Sequence, residues 1–226
     1  MMSYLLIFGV FMLLSWMVQS RLRSRFAKYS KVPLPGGQTG ADIARIMLSQ
    51  NGITDVEVHS VQGELTDHYN PMNKTINLSR EVYNGRSVMA AAVAAHETGH
   101  ALQHAQAYAW LQMRSQLVPV VSISSQWMQW VLLAGILTVE IFPSLLLIGI
   151  IMFGITTLFS LITLPVEFDA SRRALVWLQG TGITMGVQQE MAKDGLKWAA
   201  MTYVVAALAS LATLAYYIMI FLGRRE

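Results

Sequence analysis

The chain has no cysteine among its 226 residues. That absence removes disulfides, thiol nucleophiles and cysteine-based zinc sites together, and leaves histidine and carboxylate as the available ligands for a metal. Charge is scarce too, at 13%, where an ordinary soluble domain carries about a quarter. The net charge of +3 is not gathered into a basic stripe with interleaved aromatics, so no nucleic-acid partner is expected. Proline is equally sparse, with 6 in the whole chain, which leaves long stretches free of helix breakers. The 54% hydrophobic content takes the place of charge, in runs long enough to make the lipid bilayer the solvent for much of the chain.

Tyr4 to Val18 is uncharged and apolar, and Arg21, Arg23, Arg25 and Lys28 follow at once. A secretory signal has the reverse order, so residues 1–20 read as a retained transmembrane anchor whose basic flank stays in the cytoplasm. Residues 30–116 form the one long stretch with soluble character. Within it, Thr39 or Asp42 could start a helix through Ala41 to Gln50 that ends at Asn51-Gly52. A strand is expected at Asp55 to Val61, then a hairpin of Leu65 to Tyr69 and Thr75 to Leu78 around a turn at Asn70 to Lys74. Two transmembrane helices follow within 117–166, at Leu117 to Val139 and Ile141 to Val166. Residues 167–198 return to the cytoplasm, and residues 199–222 make a last span, where Arg224 and Arg225 argue mildly against an external C-terminus. Trp110, Trp127, Trp130, Trp177 and Trp198 fall near span ends, as an interfacial belt would.

One motif carries chemistry. His96, Glu97, Thr98, Gly99 and His100 spell His-Glu-x-x-His inside the Ala-rich, proline-free segment Ser87 to Gln106. At about 3.6 residues per turn the two histidines share one face of a helix, where both imidazoles can reach a single ion. Zinc suits that geometry, and Glu97 is placed to take a proton from water. Gly99 costs about 1 kcal/mol against Ala within a helix, which hints that another backbone or the metal's surroundings approach there.

Catalytic zinc takes three protein ligands and a water. His104 continues the same helix face but lies about 6 Å farther along the axis. Glu167 is the stronger candidate, because a carboxylate at the edge of an apolar span needs a partner. An ion pair with Arg172 or Arg173 is the plain alternative for it. Asp169 could replace Glu167 as ligand, or orient a zinc histidine through its second ring nitrogen. The oxyanion of a peptide-cleaving reaction needs a donor, for which His68, Tyr69, Arg172 and Arg173 are open candidates.

The N-terminal anchor, Asp67-His68-Tyr69 with Pro71, the Ala94-Ala95-His96-Glu97 box through Gly99-His100-Ala101, and Leu164 to Ser171 together resemble the bacterial YugP-type membrane zinc metallopeptidases. More distantly the chain is similar to the HtpX class, whose third ligand comes from Glu-x-x-Ala-Asp. Glu167 and Ala170 match that pattern, while Ser171 stands where the distant class has Asp. The resemblance implies a gluzincin-like peptidase with one zinc ion per chain on His96, His100 and Glu167, and Glu97 as acid and base.

The expected fold is mainly α with a small β-sheet, a multi-pass membrane protein with about four transmembrane helices and a gluzincin-like zinc peptidase domain. The expected function is a membrane-bound endopeptidase of the bacterial plasma membrane, acting on peptide or protein from the cytoplasmic side. The alternative is a zinc-binding membrane scaffold or regulatory partner without turnover, against which an intact Glu97 counts.

Overall fold

A computed structural model describes residues 2–223, with side chains from residue 6, so Met1, Arg224, Arg225 and Glu226 lie outside the described residues. The chain is mainly helical. Helices α1 (Met2–Tyr29) and α2 (Gly40–Gln50) precede strands β1 (Glu57–Val61), β2 (His68–Asn70) and β3 (Thr75–Ser79). Then come the short α3 (Arg80–Tyr83), α4 (Val88–Ala105), α5 (Ala109–Leu137), α6 (Pro143–Gly180) and α7 (Val187–Gly223). Helices α1, α5, α6 and α7 are long and apolar enough to cross a membrane.

Contacts divide the chain into two units. One takes Val18–Leu111 and Pro165–Met201, and the rest of the chain forms the other. In the second unit Arg114 and Glu140 are the charged residues among those described. Its interior is an apolar cluster around Leu132, Leu146 and Ile150, with small residues and hydroxyls at close crossings. A Cβ on Gly135 would sit 2.6 Å from Leu146 Cα, so α5 and α6 touch backbone to side-chain root there. Thr157 and Ser210 share a hydrogen bond of 2.7 Å between α6 and α7, a polar contact typical of packed helices in lipid.

The first unit contains all five histidines. Its helix α2 begins with a capping box in which Thr39 accepts from the Asp42 N–H and Asp42 accepts from the Thr39 N–H, two donors satisfied reciprocally. Ile43, Ala44, Met47 and Leu48 then face a core shared with β3 and α4. The sheet order is β1-β3-β2, with β1 parallel and β2 antiparallel to β3. The hairpin expected from the sequence is present, but its first strand starts at His68 and not at Leu65. Gly63 and Leu65 both adopt positive φ, and Thr66 bonds back to the Gly63 carbonyl, so the chain is still turning there.

Helix α4 starts at Ser87, whose hydroxyl accepts from the Ala90 N–H. It is buried on nearly every side, as an Ala-rich helix without a polar face must be. Helix α6 has 38 residues and is therefore about 57 Å long, almost twice the thickness of a bilayer core. It continues through Pro165, so the expected span and the expected third-ligand segment belong to one helix. Trp177 departs from the interfacial belt, since its ring N–H donates to Gln50 of α2 at 2.9 Å.

Candidate metal centre

Helix α4 contributes the two histidines and α6 contributes the acid. A Cβ on Gly99 would lie 2.7 Å from the carbonyl oxygen of Ala170 and 3.2 Å from its Cα. The glycine therefore permits the two helix backbones to touch beside His100, one turn from His96 and one turn from Glu167. That contact answers the expectation raised by a glycine in this helix.

At the crossing, Nε2 of His96 and Nε2 of His100 lie 3.3 Å and 3.6 Å from the same oxygen of Glu167. The three ligand atoms all fall within 4.8 Å of one another. Zinc bonds of about 2.0–2.1 Å in tetrahedral geometry require ligand atoms about 3.3–3.4 Å apart, so the two edges that meet at Glu167 match a tetrahedral ion. Two neutral imidazoles and one carboxylate also form the donor set of a catalytic zinc with a fourth position for water. Glu167 is 3% exposed, and a carboxylate so deeply buried demands a cationic or donor partner. Burial opposes charge on the His100 ring, but the adjacent Glu167 carboxylate outweighs it and raises the pKa.

Each histidine has a different support on its other nitrogen. Nδ1 of His96 meets the Ser171 hydroxyl at 3.0 Å. Nδ1 of His100 meets Oε1 of Gln103 at 3.0 Å. Asp169, expected either as a ligand or as a direct support, touches neither histidine through a hydrogen bond. It accepts from Gln103, from Arg172 at 2.6 Å and from Arg173 at 2.5 Å. Both arginines considered for the oxyanion are thus committed to Asp169.

Glu97 is buried, and its Oε2 accepts from the backbone N–H of Tyr69 at 2.9 Å. Tyr69 lies on β2, the end strand of the sheet, so the candidate base is anchored to a strand edge. The Tyr69 hydroxyl is 2.7 Å from Nδ1 of His104. Burial pushes the Tyr69 phenol up to about 12, so it keeps its proton. His104 therefore stands beside the group of three and is not part of it. His68 is exposed and donates from Nδ1 to the Thr66 carbonyl at 2.8 Å. Behind β2, Asp67 accepts from both the N–H and the hydroxyl of Ser79.

Two features escape sequence reasoning. Gln103 is completely buried, and the only local signal was an amide three residues beyond His100 among alanines and leucines. The Tyr69 N–H carries no side-chain signal at all.

Comparison with known proteins places the chain in a family. A family described as "Putative neutral zinc metallopeptidase" matches residues 4–222. A relative from Bacillus subtilis (strain 168), named "Putative membrane protease YugP", is 44% identical over 213 residues, covering 94% of each chain. No solved structure matches. The chain belongs to this zinc metallopeptidase family, which its helical fold and its His-His-Glu cluster fit.

Proposed function

We propose that the protein is a membrane-bound, zinc-dependent endopeptidase that hydrolyses peptide bonds with His96, His100 and Glu167 as ligands and Glu97 as general base. The observation that carries this reading is the meeting of the three ligand atoms beside a buried glutamate tied to a strand edge. When bound, zinc supplies a Lewis acid that polarises the scissile carbonyl and acidifies water. Glu97 takes the proton of the attacking water and returns it to the leaving amine. Its Oε2 is held by the Tyr69 N–H, which leaves Oε1 as the atom that exchanges the proton.

An extended peptide has an obvious seat. β2 is an end strand, and a substrate laid beside it would pair with the main-chain groups left open there, the Tyr69 N–H being taken by Glu97. Of the four oxyanion candidates, His68 bonds to Thr66, and Arg172 and Arg173 bond to Asp169. Tyr69 differs from these in that its backbone N–H touches the base, while its protonated phenol meets His104, and we assign that hydroxyl the oxyanion role. The basic flank at Arg21, Arg23, Arg25 and Lys28 supports a site on the cytoplasmic side of the plasma membrane.

The test compares purified parent, Glu97→Gln and Glu167→Ala. Glu97→Gln should keep its zinc and lose cleavage by about 10²–10⁴-fold, the span of general-base contributions. Glu167→Ala should lose the zinc itself. Full activity in Glu97→Gln would refute the base assignment, while a zinc-loaded parent without cleavage would favour the non-catalytic scaffold.

A further inference from the structure

Gln103 is completely buried, on α4 one turn beyond His100. Its Nε2 lies 2.8 Å from the Val166 carbonyl oxygen and 3.0 Å from Oδ2 of Asp169. Its Oε1 lies 3.0 Å from Nδ1 of His100. The orientation of this amide follows from its partners. A backbone carbonyl can only accept, and an ionised carboxylate can only accept, so the end facing α6 has to be the NH₂ group with its two donors. The oxygen then faces His100, and an oxygen needs a donor. Nδ1 of His100 must carry a proton, and the lone pair of the neutral ring is confined to Nε2, the atom that faces Glu167.

The Val166 carbonyl alone fixes which end of the amide faces α6, and Asp169 adds a second acceptor on the same side. Arg172 and Arg173 donate to its two oxygens, and Arg173 also donates to Gln106 at 2.5 Å. His96 differs, since its support is a serine hydroxyl, which can donate as well as accept and so leaves the tautomer undetermined.

We propose that Gln103 is the positioning residue of the metal centre, fixing the His100 tautomer and tying that ligand to the α6 segment that bears Glu167 through Val166 and Asp169. This rests on the metal-centre reading above. The amide works at once as an orientation device for one ligand and as a clamp to the helix that delivers another. Ring orientation through a histidine's second nitrogen typically changes metal affinity by about 10–100-fold.

The experiment uses the full chain in detergent, as parent, Gln103→Met and Gln103→Glu, titrated with zinc against a chromophoric chelator and with Co²⁺ read through its visible ligand-field bands. Gln103→Met keeps the volume and removes every polar atom. It should bind zinc about 10–100-fold more weakly, with a shifted cobalt spectrum. Gln103→Glu keeps an acceptor for Nδ1 of His100 but sets an oxygen against the Val166 carbonyl and the Asp169 carboxylate, so it should recover only part of the lost affinity. Parent-like zinc binding in Gln103→Met would overturn the proposal, and so would equal losses in both variants, because acceptor identity would then be irrelevant. If Gln103→Met does not fold, Gln103→Glu decides alone: parent-like zinc affinity despite the broken contacts to Val166 and Asp169 would overturn the clamp to α6. A parent that binds neither metal stoichiometrically would sink the metal-centre reading itself, a result distinct from all of these.

Discussion

Replacing Gly99 by alanine tests how closely the metal centre depends on one helix crossing. The new Cβ would stand 2.7 Å from the Ala170 carbonyl oxygen, and relief to an ordinary contact of about 3.4 Å requires the backbones to part by about 0.7 Å. Passed on to Glu167, that movement stretches the 3.3 Å and 3.6 Å separations to about 4.0 Å and 4.3 Å. With metal bonds held near 2.05 Å, a 4.0 Å edge opens the angle at the ion to about 155°, far from tetrahedral. Stability should respond much less. Overpacking costs about 1–3 kcal/mol, while alanine in place of glycine returns about 1 kcal/mol of helix preference. We expect zinc affinity to fall at least about tenfold, equivalent to about 1.4 kcal/mol, with a melting temperature in chelator within a few degrees of the parent. Chelator competition measures the first quantity and circular dichroism the second. Gly180→Ala, where an added Cβ meets nothing, serves as the control. Parent-like zinc affinity in Gly99→Ala would show that the crossing does not set the ligand distances.

Three further outcomes are expected. Tyr69→Phe removes the hydroxyl that meets His104 but leaves the backbone donor to Glu97 intact, so zinc and fold should persist while kcat falls by about 10–100-fold, within the span of a lost oxyanion donor or below it. Burial and the nearby Glu97 charge raise the Asp67 carboxyl from 3.8 to about 6. The folded state therefore holds a proton that the unfolded chain releases sooner, and the stability present below about pH 4 is lost as pH rises towards 6. At about 1.4 kcal/mol per pKa unit this amounts to at most about 3 kcal/mol, less what solvent screens. Asp67→Asn should flatten that slope in thermal melts of the metal-free protein. Because the chain has no cysteine, Met72→Cys creates a unique thiol at a residue that is 92% exposed. A membrane-impermeant maleimide should label it only in opened cells, and labelling of intact cells would reverse the proposed topology.

Local chemistry was legible in the sequence where it depends on short spacing. His96 and His100 share a helix face because they are four residues apart, and Thr39 with Asp42 announces a helix start because a capping box spans one turn. Membrane-crossing length was legible from composition alone. Glu167 could be picked out because a carboxylate at the end of an apolar run needs an explanation. Other features depend on where distant segments meet. Gln103 finds Val166 and Asp169 across more than sixty residues, and no local pattern predicts which helix it faces. From sequence Asp169 reads as a ligand or as a direct support of a zinc histidine, because spacing cannot distinguish a carboxylate that touches a ring from one that reaches it through an amide. The start of β2 was misplaced because positive φ at Leu65 runs against the preference of a branched apolar side chain.

The grip on Glu97 comes from an atom that every residue but proline possesses. Alanine scanning across His68 to Asn70 would leave that grip untouched and report the strand as dispensable to the base. Only an edit to the chain itself, such as Tyr69→Pro or an amide-to-ester exchange at that link, would expose it.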